Sequence, residues 1–140
     1  MTVGFLVDGT FFYEIGSADF LHSFFSTISY HLEPDGWGTK YPYLLKKLYY
    51  EPLEWSEIAL ARNEAKAIKN NLKKLTSEEV VWDINDLTAK SPWGKDISEK
   101  VPNLANYFAT SEGDTFFDIL NEALNSAEED KSSIVIHYLL

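Results

Sequence analysis

The sequence predicts an α+β fold: a small, mostly antiparallel sheet that starts with an N-terminal hairpin and carries helices packed on it. Three observations predict it. Asp8-Gly9 stands between two runs rich in aromatic and β-branched residues. Apolar residues recur at helical spacing in the stretches that follow. Ile134 to Tyr138 reads as a closing strand.

Val3 to Asp8 and Thr10 to Ile15 form the hairpin strands, because a type I′ turn needs two residues at positive φ and Asp-Gly supplies them. Gly16-Ser17 breaks the second strand, and Ser17 is placed to cap a helix. Phe20, Leu21, Phe24, Phe25, Ile28 and Leu32 give that helix its periodicity, and Pro34-Asp35-Gly36 stops it. Trp37-Gly38 lies in a loop. Tyr43 to Tyr50 reads as a short helix with Pro42 in its first turn, ended by Pro52. Trp55 to Leu75 is the longest helical pattern, with Ile58, Ala61, Ala65, Ile68, Leu72 and Leu75 as its apolar stripe. Glu54 and Glu57 near its start and Lys69, Lys73 and Lys74 near its end suit the helix dipole. Val80 to Ile84 is expected as a strand, with Trp82 at its middle turned to the core. Asn85 to Pro102 is expected as a long loop and Tyr107 to Ala109 as a brief strand. Ser111-x-x-Asp114 resembles a capping box ahead of Phe116, Phe117, Leu120, Leu124 and Ala127, in a helix ending near Glu129.

The chain has 140 residues, a length that suits one domain spanning residues 1–140. With 45% hydrophobic and 15% aromatic residues it can build a core without staples. It has no cysteine, which excludes a disulfide framework and a thiolate metal site and fits a reducing compartment. No basic stretch followed by an apolar one opens the chain, so no secretory signal is expected. No apolar run approaches the roughly 20 residues of a membrane span. A cytoplasmic protein with no membrane partner is the expectation.

Charge is distributed in blocks. Residues 1–38 hold five acids and no Lys or Arg, residues 39–75 eight bases against four acids, and residues 76–140 four bases against thirteen acids. The net charge of −10 and the pI near 4.6 argue against nucleic acid as a partner and for something basic. Most of the basic block is expected to be the solvated face of the Trp55 to Leu75 helix.

The residue patterns supply no catalytic set. Phe5-Leu-Val-Asp-Gly-Thr10 resembles the first motif of haloacid-dehalogenase-type phosphatases, but Leu6 stands at the nucleophile position and cannot form an aspartyl-phosphate. Asp8 is better read as a turn residue. His22 and His31 are nine apart on one helix and face about 180° from each other at 100° per residue, so they cannot share a metal. His-Glu-x-x-His, the EF-hand order and the Gly-x-Ser-x-Gly elbow do not occur. No catalytic residue, metal or cofactor is therefore expected. Carboxylates pair along the chain at Asp83 and Asp86, at Asp96 and Glu99, and at Asp114 and Asp118. Trp37 and Trp93 each precede a glycine near such acids, which is the anatomy of a binding hot spot. The equal alternative is a ring folded back as a lid on the core.

Three pieces of the chain together are similar to the immunity protein 70 family of bacterial polymorphic-toxin systems. They are Met1 to Pro42, VVWDINDL from Val80 to Leu87 with SPWGKDIS from Ser91 to Ser98, and NLANYFATSEGDTFFDIL from Asn103 to Leu120. The resemblance implies a non-enzymatic antitoxin, encoded beside a secreted toxin, that stays in the cytoplasm and binds the toxin's C-terminal domain. It carries over no binding residues. Charge and aromatic placement point instead to a partner-binding face of Asp83, Asp86, Trp93, Asp96 and Glu99, joined by Trp37, Glu112 and Asp114. The toxin domain is expected to be basic and to be a nuclease, since nucleases hold phosphates. The competing readings are a small carboxylate-dependent hydrolase and a general protein-interaction adaptor.

Overall fold

The computed structural model describes residues 2–93 and 101–139. The strands β1 (Thr2–Val7) and β2 (Phe11–Ser17) form the expected hairpin. Asp8 and Gly9 have φ of 55° and 64°, and the Thr10 N–H donates to the Val7 carbonyl at 3.1 Å, as a type I′ turn requires. The last strand, β3 (Ile134–Leu139), pairs antiparallel with the other side of β1, so the sheet order is β2-β1-β3. β2 runs past the predicted break. Val3 pairs with Gly16 and Gly4 with Glu14, which leaves Ile15 as the extra residue of a bulge. Gly16 sustains it at a φ of 144°, and the Ile15 side chain is buried.

Ser17 caps α1 (Ala18–Leu32) by accepting the Phe20 N–H at 3.2 Å. A 3-10 turn at Trp55–Glu57 leads into α2 (Ile58–Leu72). One turn of helix, α3 (Leu104–Tyr107), and the long α4 (Phe116–Asp130) follow. Helices α1 and α4 lie on the sheet, and α2 packs across both. Phe24 sits at the centre of the core, edge-on to Phe25, Phe108, Phe116 and Phe117 with ring centroids 5.2–5.4 Å apart. Val3, Phe5 and Val7 close the core from β1. Each fully buried Phe contributes about 1.5–3 kcal/mol of transfer free energy. No helix among the described residues is long and apolar enough to cross a membrane.

Tyr43–Leu48 is a π-helical turn whose backbone stays helical through Tyr50. Its first N–H groups, on Tyr43 and Leu44, donate to the Glu64 carboxylate of α2 at 3.3 and 3.0 Å. Burial nevertheless pushes the Glu64 carboxyl up from 4.5 to about 7, and Glu33 nearby adds to the shift.

Several expectations are corrected. Val80 to Ile84 is not a strand, and Trp82 is half-buried beside the core rather than inside it. Among the described residues no strand pairs with this segment; its backbone bonds to helix side chains instead. Tyr107 ends α3, and Ala109 makes only an isolated bridge to Thr115. The capping box before α4 is Thr115 with Asp118, not Ser111 with Asp114. Residues 110–114 are consumed by a tight turn in which Gly113 donates to Thr110 and Thr110 to Asp114, so the helix starts only after it. Of the loop expected over Asn85 to Pro102, residues 85–93 are irregular as expected, and 94–100 lie outside the described residues.

Two expected outcomes follow from this packing. A Cβ on Gly4 would run into the Tyr13 carbonyl oxygen and the Glu14 Cα, both backbone. Gly4→Ala should therefore cost about 1–3 kcal/mol of unfolding free energy, read by urea denaturation. Because the folded-state pKa of Glu64 is raised, its contribution is full below about pH 4.5 and lost as pH rises towards 7. Melting temperatures across that window should fall less steeply for Glu64→Gln than for the native chain.

Candidate functional site

α1 is buried on both sides. Phe24, Phe25 and Ile28 face the core, while Ser23, Ser26 and Thr27 are buried under the 80–84 segment. The Thr27 hydroxyl accepts the Val81 N–H at 3.0 Å and lies 3.1 Å from the Val81 carbonyl, to which Ser23 donates at 2.8 Å. The Ser26 hydroxyl accepts the Ile84 N–H at 3.2 Å. His31 donates from Nε2 to the Glu79 carbonyl at 2.7 Å. These bonds lay residues 79–84 along the helix.

That placement brings Asp83 to His22. The His22 Nε2 lies 3.2 Å from Asp83 Oδ1, and its Nδ1 lies 2.6 Å from the Tyr49 hydroxyl. The neutral tautomer that satisfies both contacts donates from Nε2 to the carboxylate and accepts the Tyr49 O–H at Nδ1. Asp83 also accepts the Asn85 N–H at 2.9 Å, and that bond together with His22 holds its carboxyl below the usual range. Burial pushes the Tyr49 hydroxyl up to about 12, with Tyr138, Tyr50 and Asp83 adding to it. Hydrogen bonds thus join Tyr49, His22 and Asp83 in one line.

Trp37 completes the cluster. Its ring stacks on His22 at 6.2 Å and 22°, meets Tyr49 edge-on at 5.1 Å, and donates from Nε1 to the Leu45 carbonyl at 2.7 Å. The loop that carries it is fixed by Glu33. This buried carboxylate accepts the N–H groups of Gly38, Lys40 and Tyr41 at 2.9, 3.0 and 2.9 Å. Tyr50 stands beside Tyr49 and Trp37 and is 68% exposed.

Trp93 belongs to a second cluster. It donates from Nε1 to the Tyr107 hydroxyl at 2.7 Å and meets Phe20 and Trp82 edge-on at 4.9 and 5.5 Å. Phe20 in turn touches Tyr107, Phe108 and Phe116. Both tryptophans are thus folded partly inward, and Trp93 keeps 37% of its surface exposed.

Of the residues singled out from the sequence, Asp83 and Trp37 meet through His22, and Trp93 is joined to Asp83 through its neighbour Trp82. Asp86 is exposed on the same segment, capping the Thr88 N–H at 3.1 Å. Glu112 and Asp114 are exposed on the turn before α4 and touch neither cluster directly. Asp96 and Glu99 lie outside the described residues. His22 was weighed only as a metal ligand, and Tyr49 and Tyr50 were not singled out. They come from separate elements, and no spacing in the sequence relates them to Asp83. Lys66 on α2 and Lys73 and Lys74 just after it are exposed, as a solvated face requires, while Lys69 is half-buried and Arg62 is spent on Glu128 and Asn125 of α4 at 3.1 and 2.8 Å. Among the described residues no three His, Asp or Glu side chains are grouped to hold a metal.

A family model described as Immunity protein 70 matches residues 6–136 of the chain. No curated protein and no solved structure matches it.

Thr27→Val keeps the shape of the helix face but leaves the buried Val81 N–H without its partner. It should cost about 1–3 kcal/mol in chemical denaturation. Faster hydrogen exchange at Val81 would accompany it, and an unchanged midpoint would show that the segment is held by packing alone.

Proposed function

The chain belongs to the immunity protein 70 family, and on that footing we propose that it binds and neutralises a cognate secreted toxin domain in the cytoplasm, by contact rather than by catalysis. The observation that carries the proposal beyond the family is the Trp37–His22–Tyr49–Asp83 cluster. Its rings are locked by hydrogen bonds to backbone and to one another, so little side-chain entropy remains to be lost on binding. Tyr50, the most exposed ring beside it, is the outermost anchor, and Trp37 supports it from behind. Asp83 and Asp86 supply charge at the same place. A standard interface takes about 800 Å² per partner, a small part of the 7675 Å² accessible surface.

The toxin domain that fits this face is basic. We take it to be a nuclease, whose phosphate-binding surface the carboxylates of Asp83, Asp86 and the more distant Glu112 and Asp114 would occupy. Opposite charge raises the association rate, so leaked toxin is captured quickly. Trp93, with Asp96 and Glu99 further along the chain, extends the same proposed face.

The test is a binding titration against the C-terminal domain of the toxin encoded beside the chain, at low and high salt. Affinity should fall as salt screens the charges. Asp86→Asn, which keeps the Thr88 cap, should slow association, and Tyr50→Ala should speed dissociation by roughly tenfold or more, as loss of a hot-spot ring does. Salt-indifferent binding would place the contact on the aromatic rings alone. Absence of binding at either salt would remove the immunity reading for that toxin.

A further inference from the structure

The sheet leaves unpaired backbone at β2 and at β3, and the two edges differ. β2 carries a bulge at Ile15 and the charge of Glu14, and it turns directly into α1. These are devices that discourage strand addition. β3 reads Ile-Val-Ile-His-Tyr-Leu, with no Lys, no Pro, no carboxylate and no bulge.

Among the described residues, Ile134 alone in β3 pairs its outward backbone groups with another segment, although Val135 and Ile136 are half-buried. Leu53 and Ile134 exchange both N–H to carbonyl bonds, at 2.8 and 2.9 Å. That pair fixes how the rest of the strand is turned, because backbone groups in an antiparallel ladder alternate between the two neighbours. Ile134 bonds away from β1, so Ile136 and Tyr138 also direct N–H and C=O away from β1. Val135, His137 and Leu139 direct theirs to Leu6, Gly4 and Thr2. The preceding chain packs close to β3 through the Tyr43–Leu48 turn but makes no further backbone pairing with it among the described residues. The Glu51 N–H is taken by the Lys47 carbonyl, and Pro52 has no N–H. Among the described residues no backbone bond reaches the outward groups of Ile136 and Tyr138. Tyr138 is half-exposed and close enough to Tyr49 to bear on its hydroxyl, so this edge adjoins the aromatic cluster.

We infer that the Ile136–Tyr138 edge is a strand-addition site, on which the toxin domain lays an extended segment carrying Lys or Arg. The inference rests on the toxin-binding reading above. Main-chain hydrogen bonds give such a contact its register, and side chains beside the edge give it selectivity. Charge decides between occupants. A second copy of this chain would bring −10 against −10, whereas a basic segment is drawn to the acidic chain as a whole.

Proline at position 138 removes only the outward N–H and leaves the β1 ladder whole, and an edge strand tolerates it. Tyr138→Ala removes the ring and keeps the N–H. Tyr138→Pro should bind the toxin domain about tenfold more weakly than Tyr138→Ala, the loss of one hydrogen bond. Hydrogen exchange on the native chain gives a second readout that survives a folding defect in the proline variant. The Ile136 and Tyr138 amides should exchange freely alone and become protected in the complex, while Val135 and His137 stay protected in both. Equal affinities of the two variants with unprotected amides, and native binding intact, would overturn strand addition and leave the immunity reading standing. Native protein that does not bind the toxin would overturn both. A dimer that protects these amides without toxin would assign the edge to a second copy and overturn the proposal.

Discussion

The hydroxyls of Ser23, Ser26 and Thr27 do for residues 80–84 what a neighbouring strand does elsewhere. A buried backbone segment must find partners for its N–H and C=O groups. Here one face of a helix offers them at i, i+3 and i+4, so the segment lies along α1 instead of joining the sheet. Much of the surface follows from that choice. Asp83 is delivered to His22, Trp82 is laid on Phe20, and Trp93 returns to cover the Phe20 ring. The sheet meanwhile stays three strands wide.

This explains which parts of the fold were legible in the sequence. The hairpin turn was, because Asp8-Gly9 specifies positive φ by local sterics. The bounds of α1 were, because Ser17 caps its start and Pro34 follows its end. Val80 to Ile84 was misread because β-branched and aromatic residues suit any extended backbone. Whether that backbone pairs with a strand or with hydroxyls is decided 58 residues away in chain terms, on α1, as the Val81 to Ser23 bond shows. The hydroxyl row was visible as polar positions within a phenylalanine-rich helix, and that was the available signal. The α4 cap turned on a similar choice between two matches, Ser111 with Asp114 and Thr115 with Asp118. The Phe116 N–H bond to the Phe108 carbonyl selects the second.

The candidate site was legible in its charged and tryptophan members and not in its centre. Asp83 and Trp37 stand out by type and context. His22 and Tyr49 do not, since what matters is a histidine on α1 flanked by a tyrosine from the π-helical turn and an acid from the pinned segment. The buried Glu33 carboxylate does comparable work for the Trp37 loop, gathering three N–H groups that would otherwise lack partners. Both arrangements favour a surface that is shaped before a partner arrives.

The middle strand of the sheet is the first element, and one of its two neighbours is the last: Thr2 pairs with Leu139. The β1–β2 pairing is local in the chain, whereas the other flank of β1 is filled only when the distant β3 docks on it. Such distant pairing is slow, because the whole intervening loop must be ordered first. A chain lacking residues 134–139 would carry an open hairpin prone to association rather than a weaker version of the same molecule.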